Sequence, residues 1–344
     1  MKKLLFIIIS LFLGIGVALV ILESFLRLDQ KFGYNYGLCK FKNEKLKMLD
    51  KDNFQYTRPS ALLGYEIIPN STDGLPVASN SYGLIGREYK LNKDKNTFRI
   101  LLLGDSIAWQ DWSRQSLEEK LNSDILLNAK YKFEIWNAGC PSYDVRRYYL
   151  YLKHKGLNYK PNMVIIFLFM NDFELNTSVY YKNQAGATEY YFPISEISKK
   201  ICVNPFLMKH AYLYRFIILR LDSYLLSKKK IGGMGLIEEN GRYYLKMIKE
   251  MCENNKIPLL AVIFPYLKPL NEYTSYEFDE YKTILKVIKD LKINHLSLYE
   301  YLCKENWYSL RERKEDEIHP NVQTHRFIGK LIYDYLLNSD CIKK

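Results

Sequence analysis

Five short apolar runs set the rhythm of the chain: Phe98–Leu103, Lys132–Trp136, Met163–Met170, Ile257–Phe264 and His295–Leu298. The first is near-continuous rather than alternating, as expected of a strand buried on both faces, and the last is the weakest of the five. Between them the apolar period lengthens to that of helices. Ser116-Leu117-Glu118-Glu119 reads as a capping box opening a short helix. Further helices are expected over Val145–Lys155, Gly235–Asn254 and Ser275–Leu291, and after Pro320-Asn321, where Phe327, Ile328, Leu331, Ile332 and Leu336 recur at core spacing. Alternating strand and helix predicts an α/β fold with a central five-stranded parallel sheet covered on both faces.

A different pattern opens the chain. Met1-Lys2-Lys3 precedes nineteen uncharged, mostly apolar residues, Leu4 to Leu22, ended by Glu23. As a helix this run spans about 28 Å, close to the hydrocarbon core of a bilayer. A cleaved secretory signal is the alternative, but Gly16-Val17-Ala18 offers a poor cleavage site inside the apolar run. Residues 1–23 are therefore expected to be a transmembrane signal anchor. Lys2 and Lys3 favour a cytoplasmic amino terminus and export of the rest, although Arg27 and Lys31 nearly balance the count. Residues 24–96 form a turn-rich flanking segment and 97–340 the main domain. Residues 173–230 interrupt the alternation with a Tyr-rich stretch that is either a lid or substrate wall, or extra helices on the flank of the sheet.

The chemistry sits where these elements end. Gly104-Asp105-Ser106 follows the first strand, so Ser106 lies at a strand's carboxyl end, where open α/β sheets bind ligands. Asp316-Glu317-Ile318-His319-Pro320 lies near the other end of the domain. A serine nucleophile needs a base, and the base needs a partner that fixes its tautomer. His319 and Asp316 fit those two roles, since a carboxylate three residues earlier reaches Nδ1 across one turn. The plainer reading makes Gly-Asp-Ser an ordinary turn and Asp316 a helix cap.

Two further loops join them. The second strand runs into Asn137-Ala138-Gly139-Cys140-Pro141 and the third into Asn171-Asp172. With these the chain resembles the SGNH (GDSL) hydrolase family, whose four ordered blocks are matched by Ser106, Gly139, Asn171, and Asp316 with His319. The resemblance covers residues 97–338. It implies an SGNH-type three-layer sandwich and an oxyanion hole made by the Ser106 and Gly139 backbone N–H groups and the Asn171 amide. It departs at Ile107, where the family often has Leu, and at Met170, where it usually has Gly and where a bulkier side chain is expected to narrow the pocket. Asp105 is assigned to the turn. Membrane-tethered relatives of this kind imply a serine esterase or O-acyltransferase outside the cytoplasm, acting on O-acyl, chiefly O-acetyl, groups of surface glycans. Transfer would require a multispanning partner that delivers the acyl donor. Lipid esters are the alternative substrate, and a catalytically silent envelope-assembly protein the alternative class.

Composition adds less. The chain has 344 residues, 48% hydrophobic and 26% charged, enough for one large core and an insertion. Its net charge of +12 suits anionic lipid or glycan surfaces. No nucleic-acid-binding signature accompanies that charge, so nucleic acid is not an expected partner. The basic clusters Lys199-Lys200 and Lys228-Lys229-Lys230 read as solvated faces, and Arg87 as either an anion ligand or a surface residue. Trp109 and Trp112 read as core packing or a sugar platform. Cys39, Cys140, Cys202, Cys252, Cys303 and Cys341 lack metal-ligand spacing, so no cofactor is expected; export would permit disulfides of undetermined pairing. Among the other histidines, His325 is the one fallback base.

Overall fold

A computed structural model of the chain describes residues 2–32, 56–60, 62–72, 75–175, 179–182, 188–191, 197, 200–201, 203–228, 233–339 and 342. Cys39, Cys202, Cys341, Lys199, Lys229 and Lys230 lie outside the described residues. The chain divides into two compact units: Met1–Glu66 with Thr177–Lys230, and Ile67–Asn176 with Ile231–Lys344. Residues 67–96 thus fold with the sheet, and residues 177–230 with the amino-terminal helix.

In chain order the strands are β1 (Thr57–Ser60), β2 (Gly64–Ile67), β3 (Thr97–Leu103), β4 (Lys132–Asn137), β5 (Met163–Leu168), β6 (Val179–Lys182), β7 (Thr188–Tyr191), β8 (Leu259–Ile263) and β9 (Asn294–Ser297). The helices are α1 (Lys2–Phe32), α2 (Ser106–Trp109), α3 (Trp112–Ser123), α4 (Ile125–Asn128), α5 (Val145–His154), α6 (Pro205–His210), α7 (Tyr212–Ser227), α8 (Met234–Asn254), α9 (Ser275–Asp290), α10 (Tyr299–Leu302), α11 (Trp307–Leu310) and α12 (Val322–Asn338).

The larger unit is built on a five-stranded parallel sheet in the order β4-β3-β5-β8-β9. All five expected strands are present. The residues of β3, β5 and β8 are buried throughout, which is why their sequences do not alternate. Arg99, a charge inside β3, is fully buried yet satisfied: it reaches Glu134 at 3.0 Å and the Tyr159 carbonyl at 2.6 Å, and stacks over Trp136 at 4.1 Å.

The order fixes the layers. From β3 the chain steps outward to β4, then crosses back over β3 to β5 and continues to β8 and β9. Right-handed crossovers in opposite directions place their helices on opposite faces. Accordingly α3 packs with α12, while α5, α8 and α9 pack with one another. The direction reverses between β3 and β5, which opens a crevice at their carboxyl ends.

The short helix expected from Ser116 begins earlier, at Trp112. Asp111 adopts a left-handed conformation (φ 68°) and starts α3 one turn sooner, leaving Ser116 inside the helix with its hydroxyl donating to the Arg326 carbonyl at 3.0 Å. Residues 67–96 cover the β4 edge, where the Ile85 N–H donates to the Asn137 carbonyl at 2.9 Å. Arg87 pairs there with Glu118, which also binds Arg114 and Tyr89.

In the smaller unit, α1 does not stop at Glu23 but continues to Phe32. Glu23 is neutralised by Arg27 one turn later, at 2.6 Å, and accepts the Tyr212 and Leu213 N–H groups at 3.1 and 2.7 Å. Lys3–Asp29 is long and apolar enough to cross a membrane. The β6–β7 hairpin pairs Val179 with Tyr191 and Lys182 with Thr188.

Helix α12 approaches α3 at Gly329, where a Cβ would lie 2.7 Å from Ser116 Cβ and 2.8 Å from the Ser113 carbonyl oxygen. Gly329→Ala is therefore expected to destabilise the protein by roughly 1–3 kcal/mol through overpacking. Urea unfolding measures this as a lower midpoint with an unchanged slope.

Candidate active site

The turn after β3 is built by close approach. A Cβ on Gly104 would lie 2.6 Å from Ala108 Cβ, so α2 can fold straight back over it. Asp105 caps that single turn, its Oδ1 accepting the Ile107 N–H at 2.9 Å. Ser106 becomes the first residue of α2, half-buried, with no acceptor for its N–H among the described residues.

His319 arrives from the loop before α12. Its Nε2 lies 2.9 Å from Ser106 Oγ, and its Nδ1 lies 3.0 and 3.1 Å from the two Asp316 oxygens. A carboxylate can only accept, so Nδ1 carries the proton and Nε2 is left to accept from the serine hydroxyl. Asp316 Oδ1 also accepts the His319 and Ile318 N–H groups at 2.9 and 3.0 Å. Burial raises the Asp316 pKa, but these backbone donors and the imidazole outweigh it and hold the group below the usual carboxylate value. The loop is pinned further by the Glu312 N–H donating to the His319 carbonyl at 2.9 Å.

Asn171 follows β5, in a short 3-10 turn over Met170–Phe173. Its side chain is exposed and has no hydrogen-bond partner among the described residues. The turn is anchored from below by Asp172, whose Oδ2 accepts the Phe169 N–H and the Tyr148 hydroxyl, each at 2.9 Å. Its Oδ1 is buried with no partner among the described residues. Burial first, then the nearby Asp105 carboxyl, pushes the Asp172 pKa well above its ordinary value. Burial likewise raises Asp105. Met170, expected from the sequence to narrow the pocket, is fully buried and packs into the core.

Gly139 departs from its expected role. Its N–H donates to Asn137 Oδ1 at 2.9 Å, so that donor is already engaged. What Gly139 supplies is space: a Cβ there would lie 2.6 Å from the Trp109 nitrogen and 2.7 Å from the Ala108 carbonyl carbon. Asn137 also donates to the Ala108 carbonyl at 2.7 Å and to Asp111 at 2.8 Å, tying β4 to the carboxyl end of the turn that carries Ser106. Asn137 stands two residues before the glycine, yet nothing in its spacing assigns it this function. Trp109 and Trp112 are half-buried.

His325 is not placed as a base. It is fully buried, with Nδ1 2.7 Å from Ser113 Oγ and Nε2 2.6 Å from Gln110 Oε1. The amide oxygen requires Nε2 to donate, so Nδ1 accepts from Ser113. Gln110 in turn donates to Glu312 at 2.8 Å. Arg313 lies 3.5 Å from Asp316 on the solvent side. An open cleft of about 530 Å³ adjoins Asp316, between Tyr266, Glu277 and Ile318.

A protein-family model matches residues 77–217, less than half of the chain. No curated protein matches it. Among solved structures the chain is similar to an acetyl xylan esterase, at 14% identity over 70% of this chain and 100% of that one, with a TM-score of 0.43. It is similar also to a lipase/acylhydrolase from Enterococcus faecalis, at 16% identity over 70% and 96%, TM-score 0.42. A G-D-S-L family protein from Desulfitobacterium hafniense matches at 14% identity over 69% and 99%, TM-score 0.40. At these identities and scores the likeness alone assigns no activity.

Burial lowers the His325 pKa from 6.5 to about 3, with the His319 charge adding to the effect. The native state therefore binds fewer protons than the unfolded chain between those values, and stability is lost as pH falls through that window. His325→Gln removes this contribution. Relative to the variant, the wild type is expected to lose stability progressively from pH 6.5 downward, as read from urea midpoints across the window between 6.5 and about 3.

Proposed function

We propose that the chain is a membrane-anchored, extracytoplasmic serine acyl-ester enzyme of the SGNH kind. The observation that carries this reading is the unbroken relay from Asp316 through His319 to Ser106 Oγ at 2.9 Å, placed at the crevice between the ends of β3 and β5. Ser106 Oγ attacks the acyl carbonyl carbon while His319 Nε2 takes its proton, and ionised Asp316 stabilises the imidazolium. The carbonyl π electrons move onto oxygen, which the Ser106 N–H and the Asn171 amide are free to receive. A preorganised donor of this kind contributes roughly 3–4 kcal/mol to the barrier. Collapse breaks the ester C–O bond, His319 returns the proton to the leaving oxygen, and an acyl-serine remains. The acceptor hydroxyl then attacks the acyl carbon with His319 again as base, the acyl carbon–Oγ bond breaks, and His319 returns the proton to Ser106 Oγ.

Water as acceptor gives hydrolysis; a sugar hydroxyl gives transfer. O-acetyl groups on surface glycans are the proposed substrate. The acetyl xylan esterase named above acts, by its name, on an acetylated glycan. The half-buried Trp109, just past Ser106, is consistent with a sugar ring at the crevice. The helix Lys3–Asp29 supports a membrane tether.

Labelling by a serine-directed fluorophosphonate, followed by peptide mass spectrometry, is expected to modify Ser106 in the wild type and nothing in Ser106→Ala. Equal labelling of both would overturn the assignment. With an acetyl ester substrate, Asn171→Ala is expected to lower kcat by about 10²–10³-fold with little change in KM. Asp316→Asn is expected to lower kcat by about 10⁴-fold, because the amide holds the wrong imidazole tautomer. Acetyl release, compared with transfer to an added glycan acceptor, separates hydrolase from transferase.

A further inference from the structure

The smaller unit carries a surface that the chemistry above does not use. Helix α7 has two faces. Arg215, Ile218 and Asp222 are buried, while Ile217, Arg220, Leu221, Tyr224 and Lys228 are exposed. The exposed set follows the helical spacing of i, i+3, i+4, i+7 and i+11, so it forms one stripe. Three of the five members are apolar and two are basic. Helix α6, packed on α7, adds Phe206, 67% exposed, and Leu207, with exposed Lys209 beside them.

The position of this surface along α1 is fixed. The α7 N-terminus donates two N–H groups to Glu23, and Arg27 donates to the His210 carbonyl at 2.6 Å. The Arg27 and Arg215 guanidinium groups lie over the Tyr212 ring, 4.7 and 4.6 Å from its centre. Arg215 closes the hairpin by donating to the Met208 and Lys209 carbonyls at 2.8 and 2.9 Å. Glu23 directly follows the uncharged run Leu4–Leu22, so α7 begins at the level where the apolar span meets the headgroups.

We propose that α6 and α7 form an interfacial element whose exposed stripe lies on an anionic lipid surface. Apolar side chains flanked by Arg and Lys are the chemistry that enters the headgroup boundary, the apolar groups by burial and the cations by attraction to anionic lipid. The stripe adjoins α1 at its exit from the bilayer and its charge complements the leaflet. This inference rests on α1 as a membrane helix and is independent of the acyl-ester reading.

The test uses the full chain in vesicles and needs no turnover. p-Benzoylphenylalanine in place of Leu221, irradiated in vesicles of phosphatidylglycerol and phosphatidylcholine, is expected to give a lipid adduct on the peptide containing position 221. The same group in place of Phe206 gives a second readout if position 221 perturbs folding. The adduct yield is expected to fall at least about threefold in vesicles of phosphatidylcholine alone, and by a similar factor when Arg220→Glu and Lys228→Glu are combined. Absence of lipid adduct at both positions overturns the proposal. So does a yield at 221 that is the same in both vesicle types and in the charge-reversed variant.

Discussion

The site depends on a backbone contact that leaves no room for a methyl group. Gly104 folds α2 back against Ala108, and Gly139 lies against the Ala108 and Trp109 backbone from the next strand. Between them they confine a helix of one turn, whose own hydrogen bonds are too few to hold it. Asn137 completes the confinement with bonds to the Ala108 carbonyl and to Asp111, on either side of Gln110. Ser106 is thereby fixed to the sheet, and the His319 loop is brought to it from the segment before α12.

Electrostatics then divides the carboxyl groups by task. Asp105 and Asp172 are buried, and burial raises the pKa of each, with the Asp105 carboxyl adding to the effect on Asp172 and the His319 charge opposing it at Asp105. Asp105 adjoins Ser106 in sequence, but its Oδ1 caps α2 and its raised pKa makes it a poor counter-ion. Asp316 is pulled the other way by backbone N–H donors and the imidazole. Carboxyl groups whose surroundings push their pKa values apart take different roles: one held low behind His319, and two held high beneath the loops that carry Ser106 and Asn171.

What the sequence reveals follows from what is local. The continuous apolar runs give β3, β5 and β8 because double burial removes alternation, and the loops bearing Ser106 and Asn171 each follow one of these strands. Gly139 is legible as a position but not as a role, because its N–H is claimed by Asn137, a side chain two residues away whose rotamer no pattern encodes. The start of α3 is hidden for a related reason. Asp111 takes a left-handed conformation without glycine, held by Arg114 and Asn137, and tertiary bonds of this kind override a local capping signal. The extension of α1 past Glu23 depends on α7, which lies far along the chain.

Among the described residues two Ser–His pairs join the same two segments, Ser106 with His319 and Ser113 with His325. Their hydrogen-bond lengths are alike, so distance does not decide which is reactive; the group behind each imidazole does. Behind His319 stands an ionised carboxylate that stabilises the imidazolium formed when the serine gives up its proton. Behind His325 stands the Gln110 amide, which fixes the tautomer but carries no charge, in a dry setting that brings the imidazole pKa down to about 3. One pair therefore can accept a proton and opens on the crevice. The other cannot, and its strength as a neutral bridge, passed through Gln110 and Glu312 to the His319 backbone, goes into holding the two halves of the first pair in register.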